Sequence, residues 1–415
     1  MTTARDRLGA GRYIEAGAVP ADTTTQLVRL STADGATVTG TLRSVPGART
    51  VVFLMHPRQD LTHHGMVPEL LSRGCAVWTQ APRSVNNDLN LLHEQLLVDE
   101  AAGYCFLRDQ EFDAVICYGH SGGGTLQAFY QQQAGLPAGQ RLPTTPGGRP
   151  VALRTADMPL PDASIFMAPH PGQAALMSRI IDPSVVNESD PMSTAPELDC
   201  FDARNGFQPP PTSSSFDGDF IAAYREGQSA RLRRLDAAAR ALVAISDEAR
   251  SRHKTTEDAV DRRAALAPRL MTVYRTDADL RYVDLSIDAN ERPYGSLMGR
   301  RPDLTNYGLV GFGRLATAEA WLSTWSPLSS NADFLRCAPA VTTPTLLIEL
   351  TGDQAAFPSD MARMREALGA EDLTSATVRG THFGASLAPG EPTGTQLAAQ
   401  IIESWLAERF PTARS

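Results

Sequence analysis

The feature that most constrains this chain is the run Asp113-Ala-Val-Ile-Cys-Tyr118 passing without a break into Gly119-His120-Ser121-Gly122-Gly123. A continuous apolar stretch of that length reads as a strand covered on both faces, the condition of a parallel sheet. Gly122 to Gln133 then has helical character. A strand that turns into a helix within one residue needs a sharp bend, and glycines two residues before and two after the serine remove the side chains that would clash there. A glycine-rich phosphate loop would continue with Gly-Lys-Ser/Thr, which Gly123-Gly124 does not.

The same alternation recurs along the chain. Strands are predicted at Gln26–Ser31 and Thr37–Val45 around the turn Asp34-Gly35. Others are predicted at Thr50–His56, Ala76–Gln80, Ala163–Ala168, Thr345–Leu350 and Thr374–Val378. Between them lie predicted helices at about 64–73, 88–109 (capped by Asn87 or Asp88), 360–368 (capped by Asp360) and 393–409. Strands alternating with helices imply an α/β fold with a mostly parallel central sheet flanked by helices. From about 171 to 338 the rhythm breaks. That stretch opens with proline-rich loops, and a long amphipathic helix is predicted over 220–252. A short hairpin is expected between Met271–Tyr274 and Leu280–Leu285, and another helix at Leu315–Trp325. The apolar stripe of the long helix includes Tyr224, Leu232, Leu235 and Ile245. Arg231, Arg233, Arg234 and Arg240 form the opposite face, expected to be solvated. The expected organisation is an arm at 1–25, a core at 26–170 and 339–415, and a mainly helical cap inserted after the sixth strand at 171–338.

Composition narrows the function classes. A formal net charge of −9 over 415 residues, without any basic run, gives no field that would gather nucleic acid or anionic lipid. No stretch of eighteen apolar residues occurs, and the first residues lack a secretory apolar segment, so a cytoplasmic protein is expected. The five cysteines are odd in number and include no Cys-x-x-Cys, which reads as free thiols. Adjacent His63 and His64 face different ways on a helix and have no evident third ligand, so no metal site is expected.

Strand, Gly-His-Ser-Gly-Gly and helix are followed much later by a strand with Gly352-Asp353, and then by Gly380-Thr-His-Phe-Gly384. This sequence of motifs resembles the α/β-hydrolase fold family, over roughly 26–170 and 338–410. The resemblance implies a nucleophile after the fifth strand, an acid after the seventh and a histidine after the eighth, and the order Ser121, Asp353, His382 fits. A serine hydroxyl needs a base to become a nucleophile. Of eight histidines, His382 lies on the loop that returns to the carboxyl edge of the sheet. Asp353 would orient its imidazole.

Two backbone N–H groups should stabilise the oxyanion: Gly122, and a donor from the loop His56-Pro57-Arg58-Gln59. Proline has no N–H, so Arg58 is the expected second donor, with Gln59 the alternative. The Arg58 side chain could hold a substrate carboxylate or form a structural salt bridge. His56, Gln59 and His120 are further substrate-lining candidates. The implied activity is cleavage of a carboxylic ester or thioester through an acyl-enzyme, on a partly apolar, medium-sized small-molecule acyl substrate, without a cofactor; homo-oligomerisation stays open. Carbon–carbon, lactone or amide hydrolysis, or acyl transfer, would use the same groups. A different class is a non-catalytic ligand-binding protein on the same fold.

Overall fold

A computed structural model describes residues 17–85 and 87–411. Most of the expected arm therefore lies outside the described residues, as does Asn86. The elements run β1 (Thr24–Ser31), β2 (Thr37–Ser44), β3 (Thr50–Met55), α1 (Met66–Ser72), β4 (Ala76–Ala81), α2 (His93–Arg108), β5 (Ala114–Ser121), α3 (Gly122–Ala134), β6 (Ala163–Pro169) and α4 (Gln173–Ile180). They continue through α5 (Gly218–Thr256), α6 (Ala259–Leu266), β7 (Leu270–Thr272), β8 (Leu315–Thr317) and β9 (Thr345–Gly352). A helix at Pro358–Ala367, β10 (Leu373–Thr381) and a last helix at Gly394–Ala407 complete the chain.

Eight strands form one sheet in the order β1-β2-β4-β3-β5-β6-β9-β10. The β1/β2 and β2/β4 pairs are antiparallel, and the remaining pairs are parallel. Period-two alternation divides each central strand between two cores. Val51, Phe53 and Met55 of β3 pack with Trp78, Tyr104 and Phe129 on the face covered by α2 and α3. Val52 and Leu54 pack with Ile116, Met66, Leu70, Ile402 and Trp405 on the face covered by α1 and the last helix. Coverage on both faces explains why these strands read as unbroken apolar runs.

The 175 residues between β6 and β9 are an excursion with a core of its own, built on Met177, Ile180, Tyr224, Leu232, Tyr282, Trp321 and Trp325. Three details differ from expectation. Leu270–Thr272 pairs with Leu315–Thr317, while Leu280–Tyr282 is a single 3-10 turn. The expected helix at Leu315–Trp325 is that strand followed by one helical turn and a five-residue π turn, Trp321–Trp325, which keeps both tryptophans buried. Arg231 leaves the charged face of α5 and is buried, donating to Glu188 and to the carbonyls of Asp182 and Tyr274. Two smaller boundaries also move. The helix expected from residue 88 starts at His93, after a short turn capped by Asn87. Asp360 lies inside its helix, which Phe357 precedes, and pairs with Arg281 at 3.0 Å.

The excursion is tied to the loop that follows β9. Asn290 Nδ2 donates to the Asp353 carbonyl at 2.9 Å, Glu291 N–H to the Thr351 carbonyl at 2.8 Å, and Gln354 Nε2 to the Gly295 carbonyl at 2.6 Å.

Candidate active site

Ser121 ends β5 and Gly122 opens α3. The serine has φ 56° and ψ −125°, a conformation that costs a residue with a Cβ about 1–3 kcal/mol and persists only where its surroundings enforce it. Enforcement here is steric. A Cβ on Gly119 would stand 2.6 Å from Gly124 Cα, and one on Gly123 would stand 2.7 Å from the Met55 carbonyl oxygen, so α3 backs directly against β3 and β5.

His382 follows β10. Its Nε2 is 2.9 Å from Ser121 Oγ, and its Nδ1 is 2.9 Å from each oxygen of Asp353. The carboxylate, an acceptor, takes the proton on Nδ1, which leaves the Nε2 lone pair facing the serine hydroxyl. Asp353 Oδ1 also accepts the N–H groups of Ala355 at 2.6 Å and Ala356 at 3.0 Å, which pins the carboxylate before the imidazole reaches it. All three side chains are buried, Ser121 retaining 9% exposure.

Four further histidines pack around this chain of bonds. His120 Nε2 donates to the carbonyl of His382 at 2.8 Å, so its Nδ1 carries a lone pair, which lies 3.2 Å from His64 Nε2. His64 Nδ1 in turn accepts the Met66 N–H at 3.2 Å. Only neutral rings with the proton on Nε2 satisfy this relay. On the other side, His56 Nδ1 accepts the N–H groups of Arg58 and Gln59, both at 3.0 Å, and His170 Nδ1 accepts the Gly172 N–H at 3.0 Å. Burial, the largest cause for each, keeps these rings neutral. His64 is lowered to about 4 and His170 to about 3, while His56 and His120 fall well below the usual imidazole range.

The structure therefore brings Ser121, His382 and Asp353 into one hydrogen-bonded chain, with Gly122 beside the hydroxyl. Arg58 departs from expectation. Its N–H is spent on His56 Nδ1, as is that of Gln59. Its guanidinium is spent on Asp88, with contacts of 2.5 and 2.7 Å, and lies over the rings of Phe312 and Trp325. His120 stands against His382, ring centroids 5.1 Å apart, and is buried.

His64 was weighed in the sequence only as a metal ligand, and Gln173 was not singled out. One signal was present: β3 and β6, the two strands that pair with β5, both run directly into His-Pro, at His56-Pro57 and His170-Pro171. Among the described residues no cluster of three His, Cys, Asp or Glu side chains could hold a metal ion, and all five cysteines are free. No described helix is long and apolar enough to cross a membrane.

No family model matches the chain, and no curated protein matches it. Solved structures are similar to it in fold. A complex of DcsB with a substrate analogue shares 13% identity over 93% of this chain and 99% of its own, with a TM-score of 0.47. GrgF, an alpha/beta hydrolase from Penicillium sp. sh18, shares 10% over 92% and 98%, with a TM-score of 0.48. The esterase Pf2001 of Pyrococcus furiosus shares 9% over 96% and 98%, with a TM-score of 0.44.

Proposed function

We propose that this chain, which has the α/β-hydrolase fold, is a serine hydrolase that cleaves a carboxylic ester or thioester. The observation that carries the reading is the bonded sequence Ser121 Oγ–His382 Nε2, His382 Nδ1–Asp353, with contacts of 2.9 Å throughout.

The steps follow from those groups. Ser121 Oγ attacks the acyl carbon as its proton passes to His382 Nε2, and the carbonyl π pair moves onto oxygen. Asp353 stabilises the imidazolium so formed. The oxyanion pair returns to carbon, the bond to the leaving alkoxide or thiolate breaks, and that group leaves with the proton from Nε2. Water then repeats the sequence on the acyl-enzyme: it loses a proton to His382, attacks the acyl carbon, and releases the acid with Ser121 reprotonated. The strained φ of Ser121 supports the reading, because such strain collects at sites that must present one atom in one direction. The excursion between β6 and β9 acts as the cap that shapes the acyl pocket. Its supporting observation is the row of bonds from residues 290–295 to the loop carrying Asp353.

The test is a fluorophosphonate probe together with a panel of esters and thioesters of graded acyl length. Labelling and turnover by wild type, both lost in Ser121→Ala, are expected. Folded wild type that takes no label would overturn the proposal and favour a non-catalytic binder.

A further inference from the structure

We propose that the oxyanion in this site is held by side chains, namely His56, His170 and Gln173 acting with the Gly122 N–H, and not by the backbone of the loop after β3. This inference rests on the serine-hydrolase reading above and names further catalytic residues for it.

The first observation is spatial. A point one C–C bond from Gly122 Cα, where a Cβ would stand, lies 2.4 Å from Gln173 Nε2, 3.0 Å from His56 Nε2 and 3.1 Å from His170 Nε2. Three nitrogens from three chain segments converge beside the residue that follows the nucleophile. Glycine at 122 keeps that space free.

The second observation concerns proton placement. Backbone N–H groups occupy Nδ1 of both imidazoles, so each neutral ring carries its hydrogen on Nε2, toward the space over Gly122. Burial holds both rings neutral, so they are donors without being cations. A site with donors and no facing carboxylate suits an oxygen that gains negative charge only as the bond forms.

Gln173 supplies the third observation. It is buried with its side chain against His93, which gives the amide oxygen a donor, while its Nε2 has no acceptor in hydrogen-bond geometry. An amide N–H left unpaired in the interior costs about as much as a lost hydrogen bond, and such a donor in a native fold calls for a ligand. Its place at the first residue of α4 follows from Gly172, whose φ of 124° turns the chain sharply after Pro171.

The fourth is the use of the alternative donors. Arg58 N–H and Gln59 N–H both bond His56 Nδ1. The loop therefore acts through His56: two backbone donors orient one imidazole, and the imidazole presents its own N–H. The His-Pro steps directly after β3 and β6 make a matched pair, one on each side of β5, with the nucleophile between them.

The experiment uses the full chain with a 4-nitrophenyl ester and, in parallel, the rate of fluorophosphonate labelling, whose phosphoryl oxygen takes the same position as the oxyanion. The variants are Gln173→Leu and His170→Phe, with Gly122→Ala as a third that removes no donor group but puts a methyl 2.4 Å from the present position of Gln173 Nε2 and so displaces it. Each is expected to lower kcat and the labelling rate by roughly 10²- to 10³-fold with KM within about threefold of wild type, because the charge exists only in the transition state. Unchanged circular dichroism separates this from misfolding. If Gln173→Leu and Gly122→Ala both stay within threefold of wild type in kcat and labelling, the side-chain donors are wrong while the hydrolase reading stands. If wild type neither turns over nor labels, the hydrolase reading falls and this assignment falls with it.

Discussion

His120 Nε2 donates its hydrogen to the carbonyl oxygen of His382 at 2.8 Å, so the residue preceding Ser121 anchors the backbone of His382. The bond joins the end of β5 to the loop after β10, strands that are not neighbours in the sheet. Replacing His120 with Phe keeps the ring and removes the donor. It should leave a buried carbonyl unpaired, cost about 1–3 kcal/mol of stability, and lower kcat roughly tenfold through misplacement of the imidazole. KM should hold. His120→Gln, whose amide can donate, should recover part of kcat. Equal activity of the Phe and wild-type proteins in steady-state assays would contradict the anchoring role.

The proposed catalytic task of Asp353 and its structural task are separable by substitution. Asn keeps an oxygen for the N–H groups of Ala355 and Ala356 but no longer stabilises the imidazolium, so kcat should fall on the order of 10⁴-fold with near-normal stability. Ala should be as inactive and, with two N–H groups left unpaired, less stable than Asn by about 1–3 kcal/mol. Denaturant unfolding of the two variants measures that gap, and its absence would remove the pinning function.

Glu100 on α2 is buried with both carboxyl oxygens unpartnered. Burial, and then the charge of Asp99, raise its pKa well above 4.5; Tyr104, Tyr130 and Cys117 are the other titratable groups around it. The folded carboxyl stays protonated where the unfolded chain has ionised. Its contribution to stability is therefore complete below pH 4.5 and is lost as pH rises toward the folded value. Glu100→Met should gain on wild type by about 1.4 kcal/mol for each pH unit across that window. Unfolding midpoints at pH 5 and pH 8 test this; a gap that does not widen with pH would refute it.

Arg58 is held by Asp88 and two aromatic rings. Arg58→Lys loses the two-pronged contact and the flat stacking surface, for about 1–3 kcal/mol of stability. KM for neutral and anionic esters should shift by the same small factor. A selective rise for anionic esters would restore the side chain as a carboxylate binder.

Much of the sheet was legible because burial on both faces leaves an unmistakable run, as at Thr50–Met55 and Ala114–Tyr118. Ser121 was legible because only glycines tolerate the backbone contacts at 119 and 123, and His382 because the final strand had to deliver it to the same edge. The excursion was harder. The β7/β8 pair joins residues more than forty positions apart, and a closer apolar segment, Leu280–Leu285, offered a local partner that the fold uses as a turn. Helix α4, with Ala174, Leu176, Met177 and Ile180 buried, was hidden by its proline-rich surroundings. The fate of the Arg58 N–H depends on which nitrogen of His56 carries the proton, and no pattern of residue types encodes that.

The bonds linking Asn290, Glu291 and Gly295 to the chain around Asp353 bear on how the proposed hydrolase could be redesigned. Exchanging the whole span between β6 and β9 for that of another protein would discard the support of Asp353 along with the proposed cap. Selectivity should be sought by point changes elsewhere in the excursion, with 288–295 kept as native scaffold.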